Sequence, residues 1–327
     1  MPIQINPSKF PIWLGESKLR LGTAALDQTL DHVTNSQERL IQLLFEGVAN
    51  DQLSQVGASV GLDSDESEKF IEQLRPSLLR DATEKSSGLA LDVRFAELVR
   101  IGFQTNNSPA EVLSKRAATL VHIPCLDRSG LNLVRLLSEL GFRNFTTDDH
   151  ESVGSHDGGE LGYPKGLFGV SRLSAARELL DCTRTNVRLS HATEKAKDCL
   201  TIITATHRAL PSEFQKISSS WIAIEFGIDS VFVSGVMNKG LNPCLGCRDL
   251  WQLEGNQNWL SESIQLSARR DHLDDGTSLL IALALAGRNI CNYIDFQVSG
   301  SSSVIETLTR RVREVNLQFH PACGCQN

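Results

Sequence analysis

No apolar run in this 327-residue chain approaches the roughly 20 residues that a membrane span needs. The longest, SLLIALALAG at 278–287, reads as a buried helix. The start, MPIQINPSKF, lacks the charged-then-apolar pattern of a signal peptide, so the cytoplasm is the expected location. Positive charge is outnumbered, with Lys and Arg at 32 against Asp and Glu at 39. The formal net charge is -7, which argues against a general nucleic-acid or anionic-membrane binder. No internal repeat, long low-complexity tract, Ser-His-Asp order or nucleophile elbow is present, and no catalytic residue is assigned. What remains is ordinary globular material. An apolar fraction of 41% and a charged fraction of 22% allow real cores, and the length suits two domains or one large one.

The opening 80 residues alternate short strand-like runs with helical ones. PIWLG and KLRLGT flank a turn. In TNSQERLIQLLFEG (34–47), Leu40, Leu43 and Leu44 fall on one helix face, Thr34 and Gln37 form a capping box, and Gly47 is a stop. DQLSQVGASVGL (51–62) is a weaker helix. A third helix opens at Asp63 with Glu66 three residues on, carries Phe70, Ile71 and Leu74, and is limited by Pro76. This pattern predicts a small winged-helix-like α+β domain over 1–80. Residues 81–110 read as a linker or connecting segment, and 111–327 as the second domain. There the rhythm becomes β-α-β: strand TLVHI, turn PCLDRSG, helix LNLVRLLSELG and strand NFTTDD. A glycine-rich loop, the helix SRLSAARELLD, three strands, two helices and a half-buried strand REVNLQF follow.

Four of the eight cysteines stand in two short runs, PCLGC and ACGC. Zinc in a structural site takes four thiolate or imidazole ligands, usually from two tight knuckles. Cys244 and Cys247 with Cys323 and Cys325 supply such a pair. Gly246 and Gly324 stand inside the knuckles, where a tight turn favours glycine. Four thiolates leave no open position, so the expected zinc is structural. A thioredoxin-like role for Cys244 and Cys247 would leave the second pair unexplained. His320 is a reserve ligand. Cys125, Cys182, Cys199 and Cys291 read as small buried groups at strand or helix positions.

The β-α-β unit is where a nucleotide would bind, yet its loop HIPCLDRSG is not G-x-G-x-x-G. Only Gly130 survives. Pro124 lacks an N–H, and Asp127 adds negative charge where phosphate would sit. Asp149 either contacts a ribose or ends a strand in solvent; both readings stand.

The β-α-β unit ending in TDDHESV, the loop leading to GVSRLSAARELL, and PCLGCRDL paired with HPACGC together resemble the ThiF/MoeB-type superfamily, relatives of ubiquitin-activating enzymes. More narrowly, the cysteine pattern is similar to the ThiF-like cyclodehydratase partners of azole- and azoline-forming peptide biosynthesis. The resemblance implies a Rossmann-like ThiF-type domain with a zinc knuckle pair, and a tendency to pair as homodimers. It makes Gly130, Asp149 and Arg172 a vestigial nucleotide pocket. TATHRA (204–209) presents Thr204 and His207 where adenylating members carry carboxylates, so ATP is not expected as a cofactor.

The expected function is therefore non-catalytic. The chain would bind the leader of a ribosomal precursor peptide and present it to a YcaO-type cyclodehydratase. The leader would add to a sheet edge near Ala25, Leu26 and Asp27, beside the third helix with Lys69 and Gln73. The alternatives are an ATP-dependent adenylyltransferase activating a carboxylate, and a structural or regulatory homodimer.

Overall fold

A computed structural model describes residues 2–7, 9–23, 27–79, 97, 109–181, 186–192, 199–209, 214–215, 217, 219–269 and 271–326. Most of the expected linker over 81–110 lies outside the described residues, as do Ala25, Leu26 and Cys182. By internal contacts the chain divides into two compact units, Met1–Ser114 and Lys115–Asn327.

The first unit holds helices α1 (Asn35–Glu46), α2 (Leu53–Ser59) and α3 (Ser64–Leu74). Both long helices start where the caps predict. Thr34 and Gln37 close a reciprocal capping box on α1, and Asp63 and Glu66 do so on α3. The apolar stripes of these helices, Leu40, Ile41 and Leu44 on α1 and Phe70 and Leu74 on α3, pack with Ile5, Leu19 and Leu21 into one core. Two small antiparallel sheets complete the unit. Strand β1 (Pro2–Ile3) pairs with β5 (Val48–Ala49). Strands β2 (Pro11–Trp13), β3 (Leu19–Leu21) and β4 (Thr29–Leu30) form a three-stranded sheet in that order, so β2 and β4 are its edges.

The second unit is built on an eight-stranded sheet. Its strands are β6 (Leu120–His122), β7 (Asn144–Thr147), β8 (Arg188–His191), β9 (Leu200–Thr206), β10 (Trp221–Phe226), β11 (Ser230–Val233), β12 (Ser302–Glu306) and β13 (Val312–Val315). Their spatial order is β13-β12-β11-β10-β9-β6-β7-β8. The five strands from β10 to β8 run parallel and the other pairings are antiparallel. Buried parallel strands read as continuous apolar runs, and WIAIEF in β10 is buried at all six positions. The helices are α4 (Pro109–Ala118, crossing the boundary between units), α5 (Arg128–Glu139), α6 (Arg172–Asp181), α7 (Leu245–Gly255), α8 (Trp259–Ser267) and α9 (Gly276–Phe296).

Strands β8 and β12 carry too little apolar pattern to be expected from sequence. RLSH buries only its leucine, and SSVIE buries two serines. The terminal strand is shorter than expected, ending at Val315. Among the described residues α9 is the one helix long and apolar enough to cross a membrane. Here Leu279, Ala282, Leu283, Ala286 and Ile290 pack it into the sheet's core.

Arg116 on α4 is 2% exposed and meets Asp295 on α9, itself 3% exposed, in a two-pronged pair at 3.0 and 2.5 Å. A third N–H reaches the carbonyl of Leu140 at 2.8 Å. Removing Asp295 takes the carboxylate away from a guanidinium that is 2% exposed. The Asp295→Ala variant is therefore expected to lose about 3–5 kcal/mol of unfolding free energy in a urea titration. A loss under 1 kcal/mol would show the guanidinium finding water or another partner.

Candidate functional site

The strand order reverses between β6 and β9, and open α/β sheets place ligands in the crevice outside the carboxyl ends there. Three residues singled out from sequence meet at this crevice. Gly130 lies in the first turn of α5, Asp149 just past β7, and Arg172 at the first position of α6. A Cβ on Gly130 would stand 2.0 Å from the carbonyl oxygen of Cys125. Glycine is needed there so that helix and loop can approach.

Two backbone donors of the turn, Leu126 N and Gly130 N, are already used. Asp127 caps α5 and accepts from Gly130 N at 2.9 Å. Asp149 accepts from Leu126 N at 2.6 Å and from Glu151 N at 2.7 Å. Arg172 is buried and occupied as well. Its Nε and Nη2 donate to the two oxygens of Asp157, at 3.0 and 3.2 Å, and Nη1 lies 3.4 Å from Asp149. Burial works against its charge, but the Asp157 hydrogen bonds and nearby carboxylates outweigh it. Cys125 is in the loop rather than in a strand or helix. Burial, reinforced by Asp127, pushes its thiol well up, which favours the protonated form.

Sequence reasoning missed the segment 271–275, which joins α8 to α9 and lies over this crevice. Asp271 accepts from Thr206 Oγ1 at 3.1 Å through its carbonyl and pairs with His207 Nε2 at 2.7 Å. His272 stacks on His156 with centroids 4.4 Å apart, and His156 in turn touches Arg172 at 3.3 Å. Asp274 reaches Ser129 Oγ at 3.3 Å and holds Arg128 through its carbonyl at 3.1 Å. His207 is the strand-end residue that stands where a carboxylate was sought; its φ is 60°, a left-handed conformation uncommon outside glycine. Thr204 lies inside β9. The sequence signal for this network is faint: an acidic DHLDD before a helix.

Burial raises the Asp127 carboxyl to about 6, with the Asp274 charge adding to it and the Gly130 N–H opposing. A carboxyl raised on folding binds its proton more tightly in the folded chain. Its contribution to stability therefore falls as pH rises between about 4 and 6. Asn at this position keeps an oxygen for the cap but has no proton to lose. The Asp127→Asn variant should gain stability over the parent as pH rises across that window and match it near pH 4. Urea titrations across the window check this, and a parallel pair of curves would refute it.

The four cysteines of the two knuckles converge. Cys244 caps α7 and Cys247 lies in its first turn, while Cys323 and Cys325 arrive on the segment after β13. Their Sγ atoms all lie within 4.8 Å of one another, with Cys244–Cys323 at 3.6 Å and Cys247–Cys325 at 3.4 Å. Tetrahedral Zn–S bonds of about 2.3 Å put sulfurs about 3.8 Å apart, so the donor set fits zinc. His320 is not among them. Its Nε2 contacts Glu254 at 3.0 Å and its Nδ1 accepts from Ala322 N at 3.1 Å. Trp251, half exposed, packs edge-on against that ring. Burial pushes the Cys325 thiol up to about 11 and Cys244 further; at Cys247 burial is outweighed by backbone hydrogen bonds from His320 and Cys244. A bound cation would stabilise all four as thiolates.

No family model matches the sequence, and no curated protein matches it significantly. Solved structures do. E. coli MccB with AMPCPP and MccA has a TM-score of 0.68 over all of both chains at 10% identity. The microcin C7 biosynthetic enzyme MccB with N-formylated MccA gives 0.67 over all of both chains at 11%. PaaA gives 0.58 at 14%, covering 78% of this chain and 93% of its own. The chain shares the fold of these MccB structures. E. coli MccB is also solved with ATP, at a TM-score of 0.66 and 10% identity, so the expectation that ATP is absent gains no support from structures of this fold.

One zinc per chain is expected in metal analysis of the purified protein. Cys323→Ser should lose it and melt several degrees lower, because metal binding there is coupled to folding. Unchanged metal content would remove the site.

Proposed function

We propose that this chain recognises a peptide and does not itself carry out adenylyl transfer. The observation that carries the second half is the consumption of the crevice's phosphate donors: Leu126 N by Asp149, Gly130 N by Asp127, and Arg172 by Asp157. An incoming triphosphate would have to displace carboxylates rather than meet open N–H groups. The first half rests on likeness of fold over the whole chain, first unit included, to MccB solved with MccA. MccA is a peptide, being N-formylated and carrying an isoAsn at its seventh position in one complex.

On this reading the first unit acts as a winged-helix-like recognition element over 1–80. A peptide would add to an edge of its three-stranded sheet by main-chain hydrogen bonds. Lys69 and Gln73 are exposed on α3, as the β4-side location requires. Asp27 is less available, since it is 5% exposed and paired with Lys9. The other edge, β2, carries exposed Trp13 and is flanked by exposed Phe10 and Leu14, a surface that sequence reasoning passed over. The partner receiving the peptide would be a YcaO-type cyclodehydratase, and the setting the cytoplasm.

A second reading, an ATP-dependent adenylyltransferase, is favoured by the MccB complexes with ATP and AMPCPP and by the gathering of Gly130, Asp149 and Arg172. Two measurements separate the readings. Pyrophosphate exchange with ATP, magnesium and a precursor peptide encoded beside the gene should stay at background; exchange abolished by Asp149→Ala would establish the enzyme. Calorimetry with the same peptide should give a dissociation constant of roughly micromolar to high nanomolar, as a small interface allows. Weakening by Lys69→Glu with Gln73→Ala would place the peptide along β4 and α3, and weakening by Trp13→Ala along β2. Undiminished binding in both variants would take recognition out of this unit.

A further inference from the structure

The second pair of cysteines arrives on chain that no regular element aims. Strand β13 ends at Val315, and Cys323 comes eight residues later with neither helix nor strand between them. A metal centre nonetheless needs its donors within about 0.2 Å of their bonding distances. Either the metal gathers a loose segment, or the segment is already fastened to α7, which carries Cys244 and Cys247 at its start.

The fastening converges on His320, which touches both pairs. Its main-chain N–H is a hydrogen-bond donor to Cys247, and its carbonyl accepts from Cys323 N at 2.9 Å, closing a four-residue turn. Its ring is 7% exposed and held at both nitrogens. Nδ1 accepts from Ala322 N at 3.1 Å, and Nε2 lies 3.0 Å from Glu254 Oε1 on α7. A main-chain N–H can only donate, so Nδ1 carries the lone pair and the hydrogen on Nε2 goes to Glu254. Trp251, also on α7, meets the ring edge-on with centroids 4.6 Å apart and donates from Nε1 to the Gln318 carbonyl at 3.3 Å.

Both ring nitrogens are spent, so His320 is not a fifth ligand, and one of them is spent on the main chain of the second knuckle. A side-chain acceptor that bonds the N–H two residues on is how asparagine and aspartate brace a turn. His320 does this with a ring that is itself pinned to the neighbouring helix. Partners one layer out from a metal govern how tightly it is held, because they fix the direction of its ligands. Here the ring acts on the main chain between His320 and Cys323 rather than on a sulfur.

We propose that His320 is a positioning residue for the metal centre. Its Nδ1 braces the turn that aims Cys323 and Cys325, and Glu254 and Trp251 hold the ring in the orientation this needs. The second knuckle is then set against the first by the protein, and the brace slows loss of the metal. The proposal rests on the zinc reading of the four cysteines and is independent of the peptide reading above.

The test measures zinc release from the full chain into excess 4-(2-pyridylazo)resorcinol, whose colour change follows the metal. Cys244, Cys323 and Cys325 line a cavity of about 280 Å³, and His320, Trp251 and Glu254 are not in its wall. Changing His320 or Glu254 therefore leaves that route for the chelator as it was, and the rate reports how firmly the sulfurs are held. His320→Phe keeps a ring against Trp251 but loses both nitrogens. His320→Asn loses the ring but keeps an acceptor for Ala322 N–H. The Phe variant should release zinc at least about tenfold faster than the parent, and the Asn variant within about threefold of it. A residue that only fills space would give the reverse order. Glu254 is 60% exposed, so its replacement disturbs folding little. Glu254→Leu should speed release about threefold, and Glu254→Gln, which keeps an acceptor for Nε2, should stay at the parent rate. Should the Phe variant not fold, the Glu254 pair decides, and equal release from Leu and Gln overturns the proposal. A Phe variant at the parent rate, or an Asn variant as fast as Phe, overturns it too. A parent chain that purifies without zinc would overturn the assignment of the cysteines along with it.

Discussion

Asp149 spends both carboxylate oxygens on backbone N–H groups, one on Leu126 in the loop before α5 and one on Glu151 in the loop after β7. Much of the second unit's crevice depends on that choice. A carboxylate that fixes two loops at once sets where α5 begins and how closely β6 and β7 present their ends. It also leaves a buried negative charge, and Arg172 comes in beside it and beside Asp157. Tyr163 then closes the bottom of the arrangement, donating to the Leu126 carbonyl at 2.7 Å. The same donors that would hold a phosphate in another protein hold this protein's own loops. An acidic residue at the end of a strand can serve either purpose, and the deciding fact is which hydrogens it receives.

Local signals carried most of the fold. The capping boxes at Thr34 and Asp63, the leucine stripes of α1 and α5, and the largely apolar stretches of β9 and β10 all read directly, because each is decided within a few residues. Strands β8 and β12 did not. Their identity comes from what they pair with, and RLSH and SSVIE have little of their own to announce. The cysteine constellation was legible across 79 positions only because knuckle spacing is so specific. The Arg172 network was half legible. Asp149 and Arg172 stood out, whereas Asp157, inside a glycine-rich stretch, and Asp274, in a connecting segment, became visible only when the chain had folded back on itself.

Burial of charge in matched pairs recurs in the second unit. Arg116 with Asp295, Arg172 with Asp157, and Arg248 with Glu225 are each matched through more than one hydrogen bond. Isolated surface pairs add little to stability, but partners inside a sheet's core must find each other correctly or the fold fails. These pairs therefore act as checks on assembly, tying α4 to α9, the loop after β7 to α6, and β10 to α7.

The cysteine centre has a consequence for the unfolded chain. Metal bound by all four sulfurs would cross-link positions 79 residues apart, with α7, α8, α9, β12 and β13 inside the ring. Treated like any covalent loop of that length, closure removes conformational freedom from the denatured ensemble worth about 4.5 kcal/mol. The long helix and the antiparallel strands β12 and β13 would thus begin their search already gathered. The metal would then favour the native state partly by impoverishing its competitor, and an acid or chelator that frees the sulfurs would return that freedom to the whole segment at once.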